Sequence, residues 1–368
     1  MVKNLKRKFV FERAILQHTK NIFRTRIKED RNLKKGIRLN RNERVLDYPN
    51  SLLSKIFKNT NGYHLAKYPD QSLIYNYLSK YLNLKEKNFY ISNGIDGSIK
   101  SIFEIFTKPK DKILCLHPSY AMYEIYSKIF RTKFIKVDYD YDNFKLKVED
   151  LFKKIKKKPK ILFLPNPNQP IEDNFSFNQI EKICLLCKKN KVLLVIDEAY
   201  YMFGSSTAQK LIFKYENIVI LRTFSKSFGL PSVRIGYAIS SEKIINILKA
   251  FRLSYESNFL SDAVVIYFLK RKYLVNKYIN QVIRGRNYLS KKINQLGFKV
   301  IGKESNFLLI DLKDKKICEK VYKGFLKDFI YVKGNYKYPL DKCLLLTCGP
   351  IKVMKKVFLS FKKILNKC

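Results

Sequence analysis

One lysine in this chain stands where its chemistry would change. The segment Leu221-Arg222-Thr223-Phe224-Ser225-Lys226-Ser227-Phe228-Gly229-Leu230 closes an apolar run, and Arg234 follows Lys226 by eight residues. Among 74 lysines and arginines a lone lysine carries no information, so the setting has to. The hydroxyls of Thr223 and Ser225 and the guanidinium of Arg234 are the groups that together hold a phosphate, and the arginine fork suits it because it donates two parallel hydrogen bonds. A lysine withdrawn from water among cations has a lowered pKa, and the free amine then attacks an aldehyde. Asp197, which ends the apolar run 192–196, is the second residue so placed, with Glu198 and Tyr200 just beyond it.

The elements that must position these groups are legible as a period change. Short continuous apolar runs at 113–116, 133–137, 161–164, 192–196, 218–221 and 234–239 alternate with helical spacing at 119–130, 148–157 and 177–189. Apolar strands separated by helices imply a mostly parallel sheet with helices on both faces, and such sheets bind ligands in the loops at the carboxyl ends of their strands. The lysine segment and Asp197 occupy such loops. Past residue 240 the texture becomes long amphipathic stretches, 242–250 and 262–296, then strand candidates at 306–311 and 344–347, which is the pattern of a smaller α+β domain.

Composition narrows the class. At 368 residues with 46% hydrophobic and 14% aromatic content, the chain is globular and long enough for a large and a smaller domain. The formal charge of +43 comes from lysines spread along the whole chain, without a nucleic-acid-binding signature, so no specific nucleic-acid partner is expected. No apolar run is long enough for a membrane span, no secretory signal opens the chain, and a cytoplasmic location is expected. Cys184 and Cys187 are too isolated, with His18, His64 and His117 scattered, to hold a metal; they are expected to be reduced buried thiols.

Motifs extend the pattern across most of the chain: Arg38-Leu39-Asn40-Arg41-Asn42-Glu43, Tyr68-Pro69-Asp70, Ser92-Asn93-Gly94-Ile95-Asp96-Gly97, His117-Pro118-Ser119-Tyr120 through Tyr123, Asn166 to Pro170, Asp197 to Tyr200, the lysine segment, and Ser305-Asn306-Phe307. In this order they resemble the fold-type I pyridoxal 5'-phosphate (PLP) aminotransferases, and within them the histidinol-phosphate aminotransferase-like branch. The resemblance implies an α/β PLP-transferase type I fold. It divides the chain into a basic N-terminal arm (1–36), a segment joining the small domain (37–64), a large PLP-binding domain (65–255), and a connecting helix with the small C-terminal domain (256–368). It implies Lys226 as the Schiff-base lysine, Asp197 as partner of the pyridinium nitrogen, and Tyr200 as hydrogen-bond donor to the cofactor's phenolic oxygen. Tyr120 would stack on the ring, and Ile95, Asp96, Gly97, Thr223, Ser225 and Arg234 would hold the phosphate. Tyr68 would reach the phosphate of a neighbouring subunit in a homodimer with shared sites. Lys333, Asn42 and Asn306 would face a small, phosphorylated substrate. An Asp-Glu pair at a strand end also suits magnesium, but no metal is expected without a phosphate-binding P-loop.

Two departures from the family stand out. The Asn-Pro-Thr-Gly element reads Gln169-Pro170-Ile171-Glu172, so Gln169 replaces the asparagine that reaches the phenolic oxygen. The Leu-Arg-Ile-Thr element reads Leu344-Leu345-Leu346-Thr347, so Leu345 replaces the arginine that binds a substrate carboxylate. The expected activity is transamination of a small phosphorylated or sugar-like amine or ketone, with poor use of histidinol phosphate and 2-oxoglutarate. A PLP-dependent decarboxylase and a noncatalytic PLP-fold or basic binding protein are the alternatives, and Arg38 or Arg252 are candidates to replace the missing arginine.

Overall fold

The computed structural model describes residues 36–366, so the expected basic arm lies, but for Gly36, outside the described residues. An eight-stranded sheet forms the centre. Its strands are β2 (Phe89–Asn93), β3 (Lys112–His117), β4 (Lys133–Asp140), β5 (Lys145–Leu146), β6 (Ile161–Pro165), β7 (Leu193–Asp197), β8 (Ile218–Thr223) and β9 (Ile235–Ser240), in spatial order β2-β9-β8-β7-β6-β3-β4-β5. Strands β3, β4, β6, β7 and β8 run parallel to one another, while β5 is antiparallel to β4 and β9 is antiparallel to both of its neighbours. All of β6 and nearly all of β7 and β8 are buried, as expected of strands covered on both faces. Separate apolar clusters form on the two faces of this sheet.

Local chemistry explains the elements. The helix Phe177–Lys189 starts on a capping box, with the Ser176 hydroxyl accepting from the Gln179 amide and the Gln179 side chain accepting from the Ser176 amide. Its buried face includes Cys184 and Cys187, both free thiols. The expected strand 234–239 begins one residue later, because Arg234 has φ +53°, a left-handed conformation that no strand accommodates. The expected single helix 262–296 is two, Phe259–Leu269 and Lys272–Asn294. The chain turns at Arg271, so the first helix packs on Ser72–Leu82 and the second on Ile351–Leu365.

Two smaller sheets complete the frame. β1 (Ile37–Leu39) pairs in parallel with β12 (Ile330–Val332), and β10 (Lys299–Ile301), β11 (Phe307–Asp311) and β13 (Cys343–Thr347) form an antiparallel sheet. Three of these, β1, β10 and β12, are only three residues long and have no periodic signature in the sequence.

The ends of β7 and β8 are clamped by a buried ion pair. Arg222 Nε lies 2.9 Å from Glu198 Oε2, Nη1 donates to Gln209 and Nη2 to Thr207, and the Glu198 carboxylate also accepts from Thr207 and the Ala208 amide. Both side chains are at most 3% exposed, so each charge depends on the other. Glu198→Ala is expected to cost about 3–5 kcal/mol by leaving the guanidinium buried and unpaired. Denaturant unfolding measures it, and a loss below about 1 kcal/mol would contradict the clamp.

Candidate active site

β6, β7 and β8 end on the same side of the sheet, and their loops open on a cavity of about 970 Å³. It is lined from the large sheet by Ile95, Asp96, Tyr120, Gln169, Asp197, Tyr200, Thr223, Ser225, Lys226 and Arg234, and from the smaller sheets by Asn42, Lys333 and Leu345.

Lys226 is among these lining residues. Its Nζ donates to the carbonyl of Asn42 at 3.0 Å and, more weakly, to that of Arg41 at 3.4 Å. Burial holds its pKa down at about 8; Glu43 and Asp197 oppose that shift and Arg234 adds to it. Asp197 ends β7, 6% exposed, and burial pushes its carboxyl up to about 6 despite hydrogen bonds from Tyr123 Oη (2.6 Å) and the Ala199 amide (3.0 Å). An anion bound so dry calls for a cation. Among the described residues no lysine or arginine is within ion-pair distance of it.

At the other end of the cavity the helix Gly94–Phe106 starts directly from β2. Gly94 has φ +66°, and a Cβ there would lie 2.6 Å from Arg234 Nη2. A Cβ on Gly236 would lie 2.7 Å from the Ile95 nitrogen, so the two glycines let β9 and the arginine close on the helix start. Ser225 accepts from Thr223 Oγ1 at 2.9 Å, and Arg234 lies 3.8 Å from Asp96 Oδ2. Backbone amides at a helix start, two hydroxyls and a guanidinium make an anion cradle. Pyridoxal phosphate fits these residues: its phosphate matches the glycine-shaped cradle, its ring nitrogen the dry Asp197 carboxylate, and its aldehyde the Lys226 amine.

The remaining expected residues are placed as follows. Tyr120 lines the cavity, its hydroxyl donating to Asp96 Oδ1 at 2.7 Å. Gly97 is not among the lining residues and instead packs on Ser92. Tyr200 Oη accepts from Asn42 Nδ2 at 3.0 Å, and Asn42 Oδ1 accepts from Thr347. Asn42 therefore organises the site through its neighbours, and its φ of +54° is one asparagine tolerates. Asn306 is fully buried and does not line the cavity; its Nδ2 donates to the Asn42 carbonyl, the same oxygen that receives Lys226. Tyr68 lies away from the cavity, 79% exposed and stacked on Tyr255 with ring centroids 4.4 Å apart. Of the two arginines expected to replace position 345, Arg38 pairs with Glu43 at 2.8 Å and Arg252 faces Glu256 at 3.4 Å; neither lines the cavity.

Sequence reasoning assigned no role to Tyr123, although it lies one helical turn past Tyr120 in a quoted motif. It also missed the cavity-lining Arg41, Tyr322 and Tyr336. Glu172, where the family has glycine, is buried and accepts from the Lys303 and Glu304 amides and the Ser305 hydroxyl, which ties the loop before Asn306 to the Gln169 loop.

Comparison with known proteins decides the family. The family model for aminotransferase class I and II matches residues 34–358. This chain belongs to that family. It is 31% identical over 337 residues to a histidinol-phosphate aminotransferase of Thermoanaerobacter pseudethanolicus, covering 89% of this chain and 93% of that one. It is 32% identical over 326 residues to a histidinol-phosphate aminotransferase of Caldanaerobacter subterraneus, covering 85% and 92%. The crystal structure of the histidinol-phosphate aminotransferase from Clostridium acetobutylicum superposes with TM-score 0.80 at 26% identity, covering 90% of this chain and all of that one. The Sinorhizobium meliloti histidinol-phosphate aminotransferase, solved in complex with pyridoxal-5'-phosphate, has the same fold, with TM-score 0.82 at 19% identity over 93% and 96%. The chain is thus a PLP-dependent aminotransferase, histidinol-phosphate aminotransferase-like, with the PLP-transferase type I fold the motifs implied.

A pH dependence follows from the buried lysine. Only the neutral amine attacks an aldehyde, so the rate at which cofactor-free protein takes up PLP is expected to rise about tenfold per pH unit below the Lys226 pKa of about 8 and to level above it. Stopped-flow absorbance measures this; a rate still climbing at pH 10 would mean an ordinary exposed lysine.

Proposed function

We propose that this enzyme moves an amino group to and from a small phosphorylated substrate, with Lys226 as the cofactor lysine and proton carrier. When bound, the cofactor supplies an aldehyde carbon and an electron-accepting ring. The chain's own groups do the rest. Lys226 would hold the cofactor at its aldehyde carbon, and its free amine would carry the proton to and from the substrate carbon. Asp197 would hold the cofactor's ring nitrogen and keep it cationic, and Tyr123, hydrogen-bonded to Asp197, fixes the carboxylate's direction. Tyr200, held by Asn42, donates to the phenolic oxygen, with the longer Gln169 amide beside it. Thr223, Ser225, Arg234 and the amides of Ile95 and Asp96 would hold the phosphate, and Tyr120 would pack on the ring. Lys333 would face the substrate's own phosphate, with Asn42 lining the same cavity and Asn306 fixing the Asn42 carbonyl.

The observation that carries this reading is the shared dry cavity, in which a lysine held at about 8 and a carboxyl at about 6 meet an anion cradle. We also read the active unit as a homodimer. Tyr68 is exposed beside Tyr63 and Leu65, which are 68% and 69% exposed, and an apolar surface of this kind suits a second copy of the chain. A phosphorylated substrate matches what the relatives' names state of those proteins.

A single-turnover scan of the cofactor spectrum against glutamate, phosphoserine, amino sugars and histidinol phosphate tests the substrate class. Conversion by a phosphorylated amine is expected, with Lys226→Ala slowing it by about 10²–10⁴. Release of carbon dioxide from an amino acid would contradict it. Mixing Tyr68→Phe and Lys226→Ala subunits should restore part of the activity, since one site of each mixed dimer regains both groups. Full activity in a strictly monomeric enzyme would contradict the shared site.

A further inference from the structure

Leu345 is 1% exposed, lines the cavity, and exchanges two backbone hydrogen bonds with Lys333, at 3.0 and 2.8 Å. A carboxylate brought against this leucine loses its hydration and gains nothing from the side chain. The two arginines nearest in sequence logic are occupied by Glu43 and Glu256. Arg41 is not. It lines the cavity, its carbonyl faces Lys226 Nζ at 3.4 Å, and among the described residues its guanidinium makes no hydrogen bond or ion pair.

Topology brings it to the right corner. Leu39 of β1 is in register with Val332 of β12, so Arg41 and Lys333 leave the same ends of two paired parallel strands, and Lys333 is bridged to Leu345. The cavity thus carries one cationic group at the helix start, Arg234, and a second set, Arg41 and Lys333, at the ends of the β1–β12 pair.

We propose that Arg41 binds the α-carboxylate of the amino donor, the task that Leu345 cannot perform. The assignment rests on the transaminase reading of the cavity. A guanidinium grips a carboxylate through two parallel hydrogen bonds, which fixes the direction of the bond to be broken, whereas Lys333 is a point charge that suits a phosphate. A transaminase admits donor and acceptor in turn at one site, so the corner needs a fork for the first and tolerance of a bulkier anion for the second.

Calorimetric titration of the PLP-loaded enzyme with maleate, an unreactive dicarboxylate, tests this without turnover. Arg41→Ala should weaken maleate binding about 30-fold or more, Arg41→Lys should be intermediate, and Arg41→Ala/Leu345→Arg should recover most of the loss. In the same proteins the preference for glutamate over an anion-free primary amine, read from the cofactor spectrum, should fall by a similar factor in Arg41→Ala and return in the double variant. Equal maleate binding by wild type and Arg41→Ala, or a loss confined to inorganic phosphate, would overturn the assignment to Arg41 alone. A wild type whose cofactor spectrum responds to no amine would overturn the transaminase reading as well.

Discussion

The site depends on keeping one amine dry. Lys226 Nζ has only backbone carbonyls as hydrogen-bond partners, and no carboxylate within ion-pair distance among the described residues. Carbonyl dipoles hold the amine in place without stabilising its charge as strongly as a carboxylate would, so burial sets its pKa. That is why Asn42 is so heavily constrained: its carbonyl receives both Lys226 and Asn306, its amide holds Tyr200, and its own nitrogen donates to Thr347 Oγ1 at 2.8 Å. The residue couples β13, the N-terminal segment and the lysine loop in a few ångströms.

Around that amine, charge is segregated by the fold. Parallel strands place Asp197 and the lysine loop at neighbouring carboxyl ends, and the antiparallel β9 returns Arg234 to the same face beside the helix start at Gly94. The Glu198–Arg222 pair fastens the β7 and β8 ends to each other, so Asp197 and Thr223 hold their spacing. The anion cradle and the carboxylate then line one cavity. The smaller sheets bring Lys333 and Leu345 to the same cavity, with Glu172 linking their loop to the large sheet.

Much of this was legible in the sequence because its signals are local. Continuous apolar runs located six strands, and turn and motif chemistry located Lys226, Asp197, Tyr200 and Arg234. What was not legible depends on contacts distant in the chain. The hold of Asn42 on Tyr200, 158 positions away, is one such contact. Arg41 stands inside a quoted motif without a role of its own there, since its place in the cavity follows from the pairing of β1 with β12, whose next residue Lys333 is bridged to Leu345. Arg38 and Arg252 were reasonable candidates on charge alone, and the neighbouring glutamates that occupy them are five and four positions away. The break at Arg271 escaped because apolar periodicity runs through it, and only the divergent packing partners of the two helices require it.

The central claim is that the desolvated Lys226, and no other of the chain's many lysines, carries the cofactor. Borohydride reduction of the purified PLP-loaded protein followed by peptide mass mapping tests it directly. The account requires a single stoichiometric adduct on the peptide containing Ser225-Lys226-Ser227 and its disappearance in Lys226→Ala. An adduct distributed over surface lysines, or a single one at any other position, would contradict it.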